Sequence, residues 1–152
     1  MFNQVDYMSF AIEEAVKAKN KKEVPVGAII VDDKGNIIAK AHNLVELNNN
    51  STCHAEKLVI EKVLHITGNR FLDKYDLWVT LEPCIMCAGL IKQTRIRRLY
   101  FGVEDKKGGA IVNGPQVLAK DEANGSIEIY SGFSQEKSEQ LLKEFFKKLR
   151  SN

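Results

Sequence analysis

The chain of 152 residues has only three cysteines, an odd number that does not suit a disulfide framework. A reducing compartment is the simplest expectation. Long hydrophobic runs are missing as well. The longest nearly apolar stretch, Val24 to Val31, falls far short of the ~20 residues a membrane span needs. Asp6, Glu13 and Glu14 break the apolar content near the beginning, so no signal-peptide apolar region is expected there. There is no internal repeat, low-complexity segment or linker. Neither charge sign dominates: 22 Lys and Arg stand against 20 Asp and Glu, a net charge of +2. That balance does not by itself announce nucleic acid. With 44% apolar and 28% charged residues, the composition predicts one globular domain over 1–152, soluble and cytoplasmic, with no membrane association.

The basic residues are nevertheless clustered. Lys17, Lys19, Lys21 and Lys22 form one group, Arg95, Arg97 and Arg98 a second, and Lys143, Lys147, Lys148 and Arg150 a third. Any one of these suits a solvated surface face. Together they would give a polyanion an electrostatic track.

The patterning alternates between helix and strand. Val5, Met8, Ile12, Ala15 and Val16 recur at helical spacing. Val24 to Val31 reads as a buried strand, Asp32 to Asn36 as a turn, and Ile37 to Ala41 as the returning strand of a hairpin. His42 to Thr52 is an Asn-rich loop, followed by a helix from about Cys53 to His65 with Gly68-Asn69 past its end. Asp76 to Leu81 predicts a strand. Pro83 is expected at the first position of a short helix carrying Cys84 and Cys87. Arg98 to Val103 and Ile127 to Tyr130 predict two more strands, with a Gly-rich loop over Glu104 to Gly114. Ser134 would cap a last helix reaching Leu149. The order implies an α/β fold: a three-layer α/β/α sandwich around a mixed sheet of about five strands.

Two short segments carry the chemistry: Cys53-His54-Ala55-Glu56 and Pro83-Cys84-Ile85-Met86-Cys87. His54, Cys84 and Cys87 make a three-ligand set for zinc, one per chain, that leaves the fourth tetrahedral position for water. Such water has a pKa of roughly 7. Cys84 and Cys87, three apart, share a helix face. His54 and Glu56 would point ~200° apart in a regular helix. His54 therefore belongs at the helix start, with Glu56 approaching the water as proton carrier. A closed site with Cys53 as fourth ligand is disfavoured, because adjacent residues rarely aim at one metal. His42 and His65 are expected to bind none.

His-x-Glu with Pro-Cys-x-x-Cys is a signature of the zinc nucleobase deaminases. The chain resembles the tRNA-specific adenosine deaminases of the cytidine/deoxycytidylate deaminase superfamily. The likeness is carried by Glu23-Val24-Pro25-Val26-Gly27-Ala28, His42-Asn43, Thr80 to Gly89, Phe101-Gly102 with Asp105 and Lys107, and Phe145-Phe146. Asn49 to Cys53 and Ile111 to Lys120 depart from the family's usual sequence. The resemblance implies a cytidine deaminase-like fold, a homodimer, and hydrolytic conversion of adenosine to inosine at the first anticodon position of tRNA. It implies that Glu56 is catalytic and that Asn43 holds the purine. Asp105 would accept from a ribose 2′-OH. Phe145 and Phe146 would stack on nucleotides of the anticodon stem-loop, although one of them is expected to pack in the core. A small-molecule deaminase acting on guanine, cytosine or a nucleoside would share the zinc site. The residues also leave open a silent subunit that only binds RNA and a structural zinc module.

Overall fold

A computed structural model describes residues 5–119 and 127–151. Its elements are α1 (Tyr7–Asn20), β1 (Gly27–Val31), β2 (Ile37–His42), α2 (Ala55–Thr67), β3 (Asp76–Leu81), α3 (Ile85–Gln93), β4 (Arg98–Val103), β5 (Glu128–Tyr130) and α4 (Gln135–Arg150). The strands form one sheet in the order β2-β1-β3-β4-β5. β1 pairs antiparallel with β2 and β3, while β3, β4 and β5 run parallel, so the sheet is mixed. Among the described residues, no helix is long and apolar enough to cross a membrane.

The period of two along each strand divides the core into two layers. Ala28, Ile30, Leu77, Val79, Leu99 and Phe101 face α2 and α3, where Val59, Ile60, Val63, Ala88 and Ile91 meet them. Ile29, Val31 and Trp78 face the other way, against Met8 and Ala11 of α1. α4 packs beside α1 on that second face, over β3 and β4. Apolar side chains cover both faces, which is why β1 is buried at every position.

α1 lies closer to the sheet than its apolar pattern suggests. Its buried face is Met8, Ala11, Glu14, Ala15 and Ala18, whereas Val5 and Val16 are exposed. The expected stripe is thus rotated. The cause is Gly27: a Cβ there would lie 2.0 Å from the Ala11 carbonyl oxygen. Only glycine allows the small residues of α1 to rest on the start of β1. The strand also begins later than expected, because Val26 donates to the Val24 carbonyl rather than to a sheet neighbour.

Two helix starts differ in detail from their sequence reading. Pro83 precedes the cap of α3 instead of opening its first turn, because Cys84 is the N-cap. Ser134 does precede α4, but its left-handed backbone (φ 50) turns the side chain away and it makes no capping bond. The divergent segment from Ile111 ends at Lys120, which lies outside the described residues.

Candidate metal centre

His54 and Cys84 are the N-caps of α2 and α3, both with extended backbone and neither using its side chain as a cap. Freed from capping, the two side chains turn toward each other across the carboxyl end of β3. Cys87 joins them from the first turn of α3. His54 Nδ1 lies 3.5 Å from Cys84 Sγ and 3.6 Å from Cys87 Sγ. Zn–N bonds near 2.0–2.1 Å and Zn–S bonds near 2.3 Å at tetrahedral angles require an N···S edge of roughly 3.6 Å. The three donors therefore already sit at zinc spacing. They form the one group of potential metal ligands among the described residues, and Cys53 is outside it. The Cys53 thiol is instead buried and accepts from Asn48 Nδ2 at 3.6 Å. The arrangement is that of an open three-ligand site.

Electrostatics support the same reading. The Cys84 thiol falls to about 4, chiefly through its hydrogen bond with Cys87 and further through His54. The Cys87 thiol is held up by that contact and by burial. His54 is raised above its ordinary value, mainly by the Cys84 contact. A divalent cation would make both sulfurs thiolates, since metal ligands bind deprotonated.

Glu56 lies in the first turn of α2 and is only 4% exposed. Burial pushes its carboxyl up to about 7, even though its own amide, His54 and a hydrogen bond with Cys87 act in the opposite direction. It stands beside the donor set without belonging to it.

These residues form one end of a cavity of about 320 Å³ lined by Val26, Asn43, Asp105 and Phe145, among others. Asn43 is 7% exposed, and its Oδ1 accepts from the Ala55 amide at 2.8 Å. It thereby satisfies the first amide of α2, one of the helix-start donors with no intrahelical partner, and its Nδ2 remains a donor. Asp105 Oδ1 accepts from the amides of Lys107 and Gly108 (3.1 and 2.9 Å), which leaves Oδ2 for another partner. Phe146 is not brought into this cavity. It lines a neighbouring groove with Lys106, Lys107, Lys143, Lys147 and Arg150. Phe145 and Phe146 meet edge to face at 5.2 Å.

The first and third basic clusters converge, because α1 packs against α4 and Lys19 pairs with Glu144. The middle cluster is turned elsewhere: Arg97 chelates Asp76, Arg98 pairs with Glu128, and Arg95 lies over the Phe71 ring. His42 is a structural partner of Glu14 at 3.1 Å.

Two buried glutamates escaped the sequence reading. Glu82 accepts from the amides of Asp105, Ile111, Val112 and Asn113, and from Asn113 Nδ2, at 2.7–3.1 Å. Burial would raise its carboxyl, but these donors, led by Asn113, hold it below the ordinary value. Glu23, fully buried, accepts from the Glu46 and Leu47 amides at 2.9 and 2.8 Å. Each seats a loop that walls the cavity. The available signal was a carboxylate at the end of an otherwise apolar stretch, in Leu81-Glu82-Pro83 and in Glu23-Val24.

The family model for the cytidine and deoxycytidylate deaminase zinc-binding region matches residues 1–103. A tRNA-specific adenosine deaminase of Bacillus subtilis is 43% identical over 144 residues, covering 95% of this chain and 89% of that one. One from Agrobacterium fabrum is 39% identical over 150 residues, covering 99% and 98%. Among solved structures, a tRNA:A34 deaminase from work on A-to-I editing at the wobble position is 40% identical with a TM-score of 0.86, covering 91% of this chain and all of that one. A guanine deaminase from Nitrosomonas europaea shares the fold at 19% identity and a TM-score of 0.81, covering 95% and 86%.

Proposed function

We propose that this chain, which belongs to the tRNA-specific adenosine deaminase family, hydrolyses adenosine to inosine at the first anticodon position of tRNA. The observation that carries the reading is the His54, Cys84 and Cys87 trio at zinc spacing with a buried carboxylate beside it that is not a ligand. Those three residues would hold one zinc per chain. When bound, zinc supplies a water acidified to a pKa near 7.

Glu56 then carries the protons. Its carboxylate takes one from the attacking water and delivers it to the purine ring nitrogen next to the reacting carbon. It takes a second proton from the hydroxyl now on that carbon, which becomes the carbonyl, and delivers it to the exocyclic amine, which leaves as ammonia. A carboxyl raised to about 7 is suited to both directions of transfer near neutrality. Asn43, with Oδ1 committed to Ala55, offers its Nδ2 to an acceptor on the purine. Asp105 Oδ2 can accept from a ribose hydroxyl, and Phe145 presents a ring to the nucleotide. Phe146, on the basic groove, would meet a neighbouring nucleotide.

The reading takes the whole chain as one catalytic domain acting in the cytoplasm as a homodimer. Exposed Ile85 and Met86 at the start of α3, with Leu47 on the loop beside the cavity, support a covered apolar face there. Sequencing cDNA of bulk tRNA after incubation with the zinc-loaded protein tests the function. An A-to-G change at the first anticodon position is expected, and its lack in every tRNA would refute the proposal.

A further inference from the structure

A second cleft, of about 330 Å³, opens between the C-terminal ends of α1 and α4, lined by Lys19, Asn20, Lys22, Phe145, Lys148 and Leu149. Lys22 and Phe145 also line the cavity that holds His54 and Glu56, so the two spaces share a wall. A nucleotide chain whose base entered the first space would pass its backbone close to the second.

Lys22 is placed in an unusual way. α1 ends with the Glu23 amide bonded to the Ala18 carbonyl (2.9 Å) and the Lys22 amide to the Lys19 carbonyl (3.0 Å). That pair of bonds is the Schellman termination, whose left-handed position normally holds glycine. Here it holds Lys22, at φ 63. Arg95 follows α3 in the same conformation, at φ 60, but its guanidinium rests 4.0 Å from the Phe71 ring centroid. Lys17, Lys19 and Lys21 are engaged by Glu14, Glu144 and His42. The Lys22 ammonium makes no hydrogen bond or ion pair among the described residues. Its backbone is meanwhile fixed on both sides, by the helix end and by Glu23, whose buried carboxylate is seated under Glu46 and Leu47. Both helices direct their negative ends here, which the lysines of their last turns offset. Among the described residues Lys22, past that turn, and Lys148 of α4 are the lysines of this cleft whose ammonium groups make no hydrogen bond or ion pair.

We infer that the Lys19, Lys22 and Lys148 cleft is a phosphodiester subsite for the nucleotide adjoining the reacting adenosine, with Lys22 as its main phosphate-binding cation. The inference rests on the RNA reading of the neighbouring cavity. Two unpaired cations, Lys22 and Lys148, a third shared with Glu144, and one aromatic wall match the chemistry of a single-stranded backbone, with the ribose or base against Phe145 and the phosphate on the free ammonium groups.

The test compares the zinc-loaded wild type with Lys22→Gly and Lys22→Arg on an RNA anticodon stem-loop. The same hairpin is also made with a neutral methylphosphonate at each phosphate flanking the adenosine in turn. Lys22→Gly removes the charge and supplies the residue its backbone favours, so its melting temperature should hold or rise and its zinc content should stay the same. Its KM should rise about fivefold with kcat retained, and the salt slope of binding should fall by about one. Lys22→Arg should restore most of the affinity. On one methylphosphonate hairpin, and only one, wild type and Lys22→Gly should become equal. An unchanged KM in Lys22→Gly, or an equal loss on every methylphosphonate hairpin, would overturn the subsite. If the wild type forms no inosine in the unmodified hairpin, the RNA reading itself fails and takes the subsite with it.

Discussion

In the proposed reaction Glu56 meets two demands that conflict in water: it must be charged to take a proton and neutral to give one. Burial at 4% exposure resolves this by moving its carboxyl to about 7. Glu56→Gln keeps the shape and removes the proton traffic. It should retain zinc and RNA binding while kcat falls by at least 10²–10⁴-fold, the usual contribution of a general acid–base group. Single-turnover assays with zinc analysis in parallel check this. The cysteines divide in the same way. Cys84→Ala should lose most of the metal, because it removes one of three donors, whereas Cys53→Ala should keep one zinc per chain. Metal analysis of the two purified variants tells them apart, and loss of zinc from Cys53→Ala would mean a closed four-ligand centre. The clustering of His54, Cys84 and Cys87 was legible in the sequence because metal geometry restricts both residue type and spacing. The Oδ1 bond of Asn43 to Ala55 was not, since it joins a loop to a helix end twelve positions away.

The loops around the cavity are seated by two buried carboxylates, beside the core contacts that Ala110, Ile111 and Leu118 make. Glu82 holds four backbone amides spread over 105–113, and Gly109 passes so close that a Cβ would lie 2.5 Å from Glu82 Oε2. Glu82→Gln turns one acceptor into a donor facing other donors. It should lower stability at neutral pH by at least about 2 kcal/mol, measured by urea unfolding. Its pH dependence follows from the sign of the shift. The folded carboxyl lies below its unfolded value of 4.5, so the folded state binds fewer protons between the two values. The stability Glu82 confers is complete above about 4.5 and is lost as pH falls through the folded value. The gap between wild type and Glu82→Gln should therefore narrow below pH 4.5, whatever else acid does to both proteins. Gly109→Ala should weaken the same loop, and the double variant should be less than additive, because both changes act on one contact. Strands β3 and β4 match their expected limits, Asp76–Leu81 and Arg98–Val103, since apolar residues on both faces leave no other reading. The caps were less legible: Pro83 and Ser134 carry strong local preferences, but the turn toward the metal donors and a left-handed backbone decide their roles.

The layered arrangement brings the chemistry to one end of the sheet. Two helix starts and the carboxyl end of β3 meet there, and the ends of α1 and α4 bring lysines alongside. The α/β class and five-strand sheet follow from alternating patterns that the sequence displays openly. The destination of each basic cluster does not, because it depends on which helices pack together. Arg95, Arg97 and Arg98 read as one more part of a polyanion track, yet partners on neighbouring elements absorb all three. The measurement that bears most directly on function is a parallel turnover assay with zinc-loaded protein. Its substrates are an RNA stem-loop with an unpaired adenosine at the first anticodon position, the deoxy counterpart, free guanine and free cytosine. Inosine should form in the RNA at that one position, more slowly or not at all in the deoxy hairpin, and not with Glu56→Gln. Release of ammonia from free guanine or cytosine, with the RNA adenosine left intact, would contradict the tRNA assignment and leave only the superfamily.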